Sequence, residues 1–201
     1  MLPRAAPYPP SELFTFQPQR TFSGPDLLQI ALPLGGIGAG CICLNGYGGL
    51  QDFSIRNAPL NSAMPDGSLP ADAAFATLRI PSTGVTRLVE GPLPVEKVYD
   101  QGLKAQGYTL GGYEGLPRFR SCTFQGEYPF GTVHLTDPVM PLRVKITGFN
   151  PFIPLDDRDS SIPCARVMLA GMPYFCISAI AISLYLSIYS CIVISWLKTE
   201  E

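Results

Sequence analysis

From Val167 to Leu197 the chain carries no charged residue, so all 30 charges fall on the other 170 positions. The run splits the sequence into an ordinary charged body and one very apolar tail. Within the tail, Tyr174 to Leu197 is 24 uncharged residues, YFCISAIAISLYLSIYSCIVISWL. As a helix this stretch would span about 36 Å, against a hydrocarbon core of about 30 Å. Eleven of its residues are Ile, Leu, Val or Phe. On an insertion scale they contribute roughly −3 to −6 kcal/mol, partly offset by the serines. Trp196 and Lys198 stand where an interfacial anchor belongs. The alternative is a pair of buried core strands, because Ile, Tyr and Ser alternate in places. Length and the absence of a turn residue after Pro173 favour the helix. Arg143, Lys145, Arg158 and Arg166 precede the segment and only Lys198 follows it, which would keep the body in the cytosol. The expectation is a single-pass membrane protein with one apolar helix over 174–197; the alternative is a cytoplasmic chain.

The body excludes several classes. A formal net charge of −2 gives no basic footprint for nucleic acid. Twenty glycines and 21 prolines are too many for a helical bundle, while 10% aromatic residues is too rich for a disordered chain. Prolines at 3, 7, 9, 10 and 18 interrupt any apolar stretch that could serve as a secretory signal. Asn45, Asn57, Asn61 and Asn150 all fail the glycosylation pattern. Two of the six cysteines, Cys176 and Cys191, lie inside the apolar tail, so a disulfide framework does not fit and a reducing compartment does.

Residues 1–20 read as a Pro-rich lead-in and 21–165 as a β-rich body. Strand-length apolar runs occur at Leu27–Leu34, Cys41–Leu44, Leu50–Ile55, Ala74–Ile80 and Thr86–Glu90. Others follow at Cys122–Gln125, Gly131–Thr136 and Leu142–Phe149. Asn45-Gly46 between two of them is a hairpin signal, and residues 57–70 read as a loop. No segment before 165 sustains a period of 3.6. The pattern predicts an all-β fold, an antiparallel β-sandwich, followed by the C-terminal apolar helix.

The chemistry-bearing motifs are weak when tested against spacing. The glycines at 35, 36, 38 and 40 fit neither a dinucleotide nor a P-loop register, and they lead into a strand rather than a helix. Close backbone packing is the better reading of them. Cys41-x-Cys43 lacks two further ligands, since Cys122, Cys164 and the single His134 show no metal spacing. His134 reads as a strand-face residue. Asp156, Asp157 and Asp159 with Ser160 and Ser161 lack the Gly and distal Glu of a calcium loop, and read as a solvated turn with side-chain caps. No catalytic, cofactor-binding or metal-ligating residue is assigned.

Longer stretches are more specific. They are Leu32-Pro33-Leu34-Gly35-Gly36-Ile37-Gly38-Ala39-Gly40 with Gly49-Leu50-Gln51-Asp52-Phe53, then Gly115-Leu116-Pro117-Arg118-Phe119-Arg120. Gly126-Glu127-Tyr128-Pro129-Phe130 follows, and then Phe149-Asn150-Pro151-Phe152-Ile153-Pro154 with Asp159-Ser160-Ser161-Ile162-Pro163. In this order they resemble, over about 20–165, the N-terminal domain of glycoside hydrolase family 116, the non-lysosomal glucosylceramidase and β-glucosidase family. The resemblance implies a β-sandwich, here incomplete, packed on an (α/α)₆ barrel that carries both catalytic carboxylates. No family catalytic residue transfers to a position of this sequence. The implied partners are that helical catalytic domain, a membrane through the tail, and a glucoside or glucosylceramide in the complete protein. Three readings follow: a glycosidase scaffold domain without the chemistry, a membrane-tethered β-sandwich binding a glycan or protein, and a hydrolase using acids of the sandwich itself.

Overall fold

The computed structural model describes residues 11, 19–38, 40–54, 75–98, 115–162, 164–171 and 191–198. Among them, eleven strands form three sheets. The largest has six strands in the order β1 (Arg20–Ser23), β7 (Ser121–Glu127), β8 (Phe130–Thr136), β9 (Val144–Phe149), β10 (Cys164–Gly171) and β11 (Cys191–Lys198). A second sheet joins β2 (Ala31–Leu34), β3 (Cys41–Asn45) and β4 (Leu50–Ser54). The third pairs β5 (Thr77–Arg79) with β6 (Thr86–Leu88). Every pairing is antiparallel except β10 with β11. Single helical turns stand at Gly24–Leu27, Val95–Val98 and Asp157–Ser160.

The six-stranded sheet follows from its alternation. In β8 the buried residues are Gly131, Val133 and Leu135, and in β9 they are Val144, Ile146 and Gly148. Side chains of a strand alternate between faces, so one face becomes core and the other keeps Thr132, His134, Lys145 and Thr147. The three-stranded sheet covers the core face. Leu32 lies over Gly131, and Leu34 and Leu44 lie over Gly148. The core continues through Phe124, Leu78, Ile80, Phe119 and Val167.

Most expected strands are present, with bounds shifted by a few residues. Leu27–Leu34 is the clearest departure: a 3₁₀ turn and a further turn at Leu28 and Gln29 take its first half, and only Ala31–Leu34 pairs. β1 forms where the lead-in meets the body, and its Phe22 packs against Phe124 at 6.4 Å between ring centroids. Most of the lead-in, the 57–70 loop and residues 174–190 of the apolar tail lie outside the described residues.

The single-pass membrane expectation is overturned. Among the described residues no helix is long and apolar enough to cross a membrane. The last third of the expected helix, from Cys191 to Leu197, is instead β11, paired in register with β10 from Cys164↔Cys191 to Gly171↔Lys198. Ile192, Val193 and Ile194 are β-branched and stiff at χ1, which favours a pleated surface over a helix. The backbone polar groups that a lone segment would have to satisfy within a helix find partners across the ladder. Low charge and length are shared by a buried strand and a membrane helix, and strand pairing decides between them here.

Candidate functional site

The two ends of the three-stranded sheet gather most of the polar and glycine-rich motifs. At the β3–β4 end, Asn45 organises the turn. Its Oδ1 accepts from the N–H groups of Gly49 (2.8 Å) and Tyr47 (3.2 Å), and its own N–H donates to Gly49 O at 3.0 Å. The Gly91 N–H donates to Tyr47 O (2.7 Å), the Phe119 N–H to Glu90 O (2.9 Å), and the Leu88 N–H to Pro117 O (2.7 Å). Three distant segments therefore meet here. Between them the Arg118 Nε donates to Glu90 Oε2 at 3.0 Å, with both side chains nearly covered. Burial pushes the Glu90 carboxyl above its ordinary range, and the Arg118 charge and hydrogen bond only partly oppose that. This is an internally matched polar pin.

At the opposite end the β2–β3 turn docks on the chain between 149 and 162. Asn150 is the first anchor. Its Nδ2 donates to Pro33 O at 2.8 Å, its N–H to Pro129 O at 2.9 Å, and its Oδ1 accepts from the Phe152 N–H at 2.9 Å. Ser160, fully buried, is the second. Its Oγ accepts from the Ile153 N–H at 2.8 Å and donates to Ile153 O at 2.9 Å, while its carbonyl accepts from the Ile37 N–H at 2.9 Å. A Cβ on Gly36 would collide with the Ile162 carbonyl, so glycine is required there for close approach. Asp156 caps the helical turn that carries Ser160, accepting from the Asp159 N–H at 3.0 Å.

Around these anchors the side chains face outward. Ile37, Tyr128, Phe152, Ile153, Leu155 and Ile162 are all exposed, and Leu155 fully so. The links just described hold their segments together, and Tyr128 Oη donates to Phe152 O at 3.3 Å. Phe130 stacks on Phe149 beside them, with ring centroids 5.2 Å apart. Clustered exposed apolar side chains on a folded domain mark an interaction surface, whereas single ones do not.

The remaining sequence candidates do not converge. His134 Nε2 sits 3.2 Å from Gln125 Oε1 on the outer face of β8, and burial with the neighbouring Lys145 charge lowers its pKa. Cys43 is buried beside a bulge where Asp52 and Phe53 of β4 oppose Ile42 of β3. Burial, with Cys41 and Asp52 adjacent, pushes the Cys43 thiol up to about 12, and burial pushes Cys122 to about 11. Neither is a ready thiolate at neutral pH. Among the described residues no three His, Cys, Asp or Glu side chains are grouped to hold a metal. Glu90, Arg118, Asn150 and Ser160 carry the architecture of both ends, and only the last three lie in segments with a recognisable pattern. Glu90 has no local signal beyond the following Gly91.

The convergence of these segments is matched by comparison with known proteins. The family described as beta-glucosidase 2, glycosyl-hydrolase family 116 N-term, matches residues 31–169. The chain belongs to this family. The matched range runs from the first residue of β2 to within two residues of the end of β10, so both ends of the three-stranded sheet lie inside it. A search of curated proteins finds no match.

Proposed function

We propose that the chain is the N-terminal scaffold module of a β-glucosidase-type glycoside hydrolase. In this reading the facing sheets are the two layers of a β-sandwich, and the chain acts on β-glucosides or glucosylceramide only with a helical catalytic domain. The observation that carries the reading is the family 116 match over 31–169. The placement of the acids supports it. Glycoside hydrolysis needs two carboxyl groups facing across a cleft at about 5–9.5 Å. Glu90 is engaged by Arg118, Asp137 by Arg87 at 2.9 Å, and Asp156 caps a helical turn. Each of these has a structural task.

The test is turnover of an aryl β-glucoside and of glucosylceramide by the purified chain, alone and mixed with a family 116 helical catalytic domain. No turnover by the chain alone is the expected result. Turnover that disappears in Glu127→Gln or Asp159→Asn would overturn the scaffold reading in favour of a hydrolase built into the sheets.

A further inference from the structure

We propose that Asn45-Gly46 is a latent modification site, kept intact by the closed fold and converted to an isoaspartyl or aspartyl residue when the β3–β4 end opens. Water is the only co-reactant.

The chemistry belongs to the dipeptide. The Gly46 backbone nitrogen, losing its proton, attacks Asn45 Cγ. The N–Cγ bond forms, the Cγ–Nδ2 bond breaks, and Nδ2 takes up a proton and leaves as ammonia. Water then opens the cyclic imide. Addition at Cγ breaks the new N–Cγ bond and gives aspartate. Addition at the Asn45 carbonyl carbon breaks the original peptide bond and gives isoaspartate, with the chain routed through the side chain. A glycine successor closes the ring fastest, because no Cβ crowds the attacking nitrogen. Asn150, the anchor of the opposite end, cannot follow this course, since Pro151 has no N–H to lose.

The fold fixes both members of the pair. Asn45 Oδ1 accepts from the Gly49 N–H at 2.8 Å and the Tyr47 N–H at 3.2 Å, so this side chain shapes the turn. Gly46 packs on the segment after β1, where a Cβ would collide with Leu27 O and crowd Ile30 Cβ. Asparagine and glycine are each required where they stand. The labile dipeptide is built into the turn.

The same contacts hold the reaction off. Ring closure swings Cγ onto the Gly46 nitrogen, away from both donors, and the Asn45 backbone must turn with it. That backbone is tied. The Asn45 N–H donates to Gly49 O at 3.0 Å, its carbonyl accepts from the Gly48 N–H at 3.2 Å, and the residue pairs with Ala31 across β2 and β3. Asn45 is 1% exposed and Gly46 is buried, which denies solvent base the amide proton. Conversion therefore runs through opened molecules, whose share is set by local stability.

Neither product restores the end. Asn45 Nδ2 and Glu90 Oε1 both lie against Gly49, at 2.9 and 3.1 Å from the place a Cβ would take. Aspartate replaces the N–H donor with a carboxylate oxygen beside that acid, and like charges in a buried site repel. Isoaspartate lengthens the main chain between β3 and β4 and withdraws the side-chain oxygen from the Tyr47 and Gly49 N–H groups. Time spent open thus becomes permanent loss of the closed end.

The experiment incubates the full chain at mildly alkaline pH, folded in buffer and unfolded in guanidinium chloride. Circular dichroism establishes the two states, and peptide mapping by mass spectrometry follows each asparagine. In denaturant, Asn45 should convert faster than Asn57 and Asn61, whose successors are Ala58 and Ser62, while Asn150 stays intact. In buffer, Asn45 should convert at least about tenfold more slowly than in denaturant. Equal rates in the two states would overturn the proposal, and so would an Asn45 that survives denaturant. Refolding supplies a second readout. After partial conversion the denaturant is removed and folded monomer is isolated by size exclusion; converted chains should be depleted from it severalfold. Converted chains present there at their share of the whole would overturn the irreversibility. Asn45→Asp separates charge from chain length, and its urea midpoint should fall below that of wild type at unchanged slope. An unchanged midpoint would overturn the repulsion at Glu90.

Discussion

At one end of the β2–β3–β4 sheet, a carboxylate and a guanidinium are buried against each other; at the other, glycine and two polar anchors hold a rim of uncovered apolar side chains. Both ends use distant segments. Glu90 and Arg118 are 28 positions apart, and Asn150 reaches Pro33 across 117. The difference lies in what remains unmatched. The Glu90 end turns its charges inward, while the Leu155 end satisfies its backbone and leaves Phe152, Ile153 and Leu155 to solvent. An end that is complete in itself is structural. An end that completes its polar bonding yet displays apolar groups leaves those groups unmatched within the module.

The comparison breaks most readily at Glu90. Truncating Glu90→Ala strands the Arg118 guanidinium without its carboxylate, and breaking a buried pair in this way costs about 3–5 kcal/mol. Urea unfolding at neutral pH measures the loss. A change below about 1 kcal/mol would mean that the pair is no pin and that the two ends do not differ as described. Ser160→Ala probes the other end. It removes the hydroxyl that accepts from the Ile153 N–H and donates to its carbonyl; the carbonyl keeps the Asp156 N–H, and the Ile153 N–H loses its hydroxyl acceptor. About 1–3 kcal/mol is expected from the same unfolding experiment.

Strand patterning made much of this legible from sequence. The alternation of β8 and β9, the Asn45-Gly46 turn and the Asp156 cap follow from residue types at short range. The tail departs from expectation because length and low charge are shared by a membrane helix and a strand, and neither reports the partner. CIVISWLK is as apolar as a membrane segment, and only its register beside β10 makes it a strand. At the site, the glycine-rich run already excluded a phosphate loop, but nothing local shows that Gly36 faces the Ile162 carbonyl. Glu90 was silent for the same reason, since its meaning depends on Arg118 arriving from elsewhere in the chain.

Acidity sharpens the contrast between two carboxylates that both meet arginine. Burial raises the Glu90 carboxyl above its unfolded value of 4.5, with Arg118 in opposition. The folded state therefore holds that proton more tightly, and stability falls as pH rises from about 4.5 through the folded pKa. Asp137 is the reverse. Burial pushes it up, but the Val139 N–H, the Arg87 guanidinium and the Arg120 N–H together hold it below 3.8. Its contribution is present above pH 3.8 and is lost as pH falls through the lower folded pKa. In unfolding free energies measured from pH 3 to 8, Glu90→Gln should flatten the decline on the higher side. Asp137→Asn should remove the loss at the acid end. A Glu90→Gln profile that parallels wild type would show that Glu90 ionises in the fold as freely as in the unfolded chain.

The smallest effect is the most telling about the exposed end. Leu155 contributes no packing to the module and holds φ at +66°, where a side chain is disfavoured and glycine is not. Leu155→Gly therefore relieves strain of roughly 1–2 kcal/mol in the folded turn. It also gives the unfolded chain more freedom, which returns about 0.5–1 kcal/mol of that gain. A net stabilisation of about 0.5 kcal/mol is expected, visible as a slightly higher urea midpoint at unchanged slope. A destabilised Leu155→Gly variant would mean that the leucine serves the fold itself. The two ends of the sheet would then be alike in being structural.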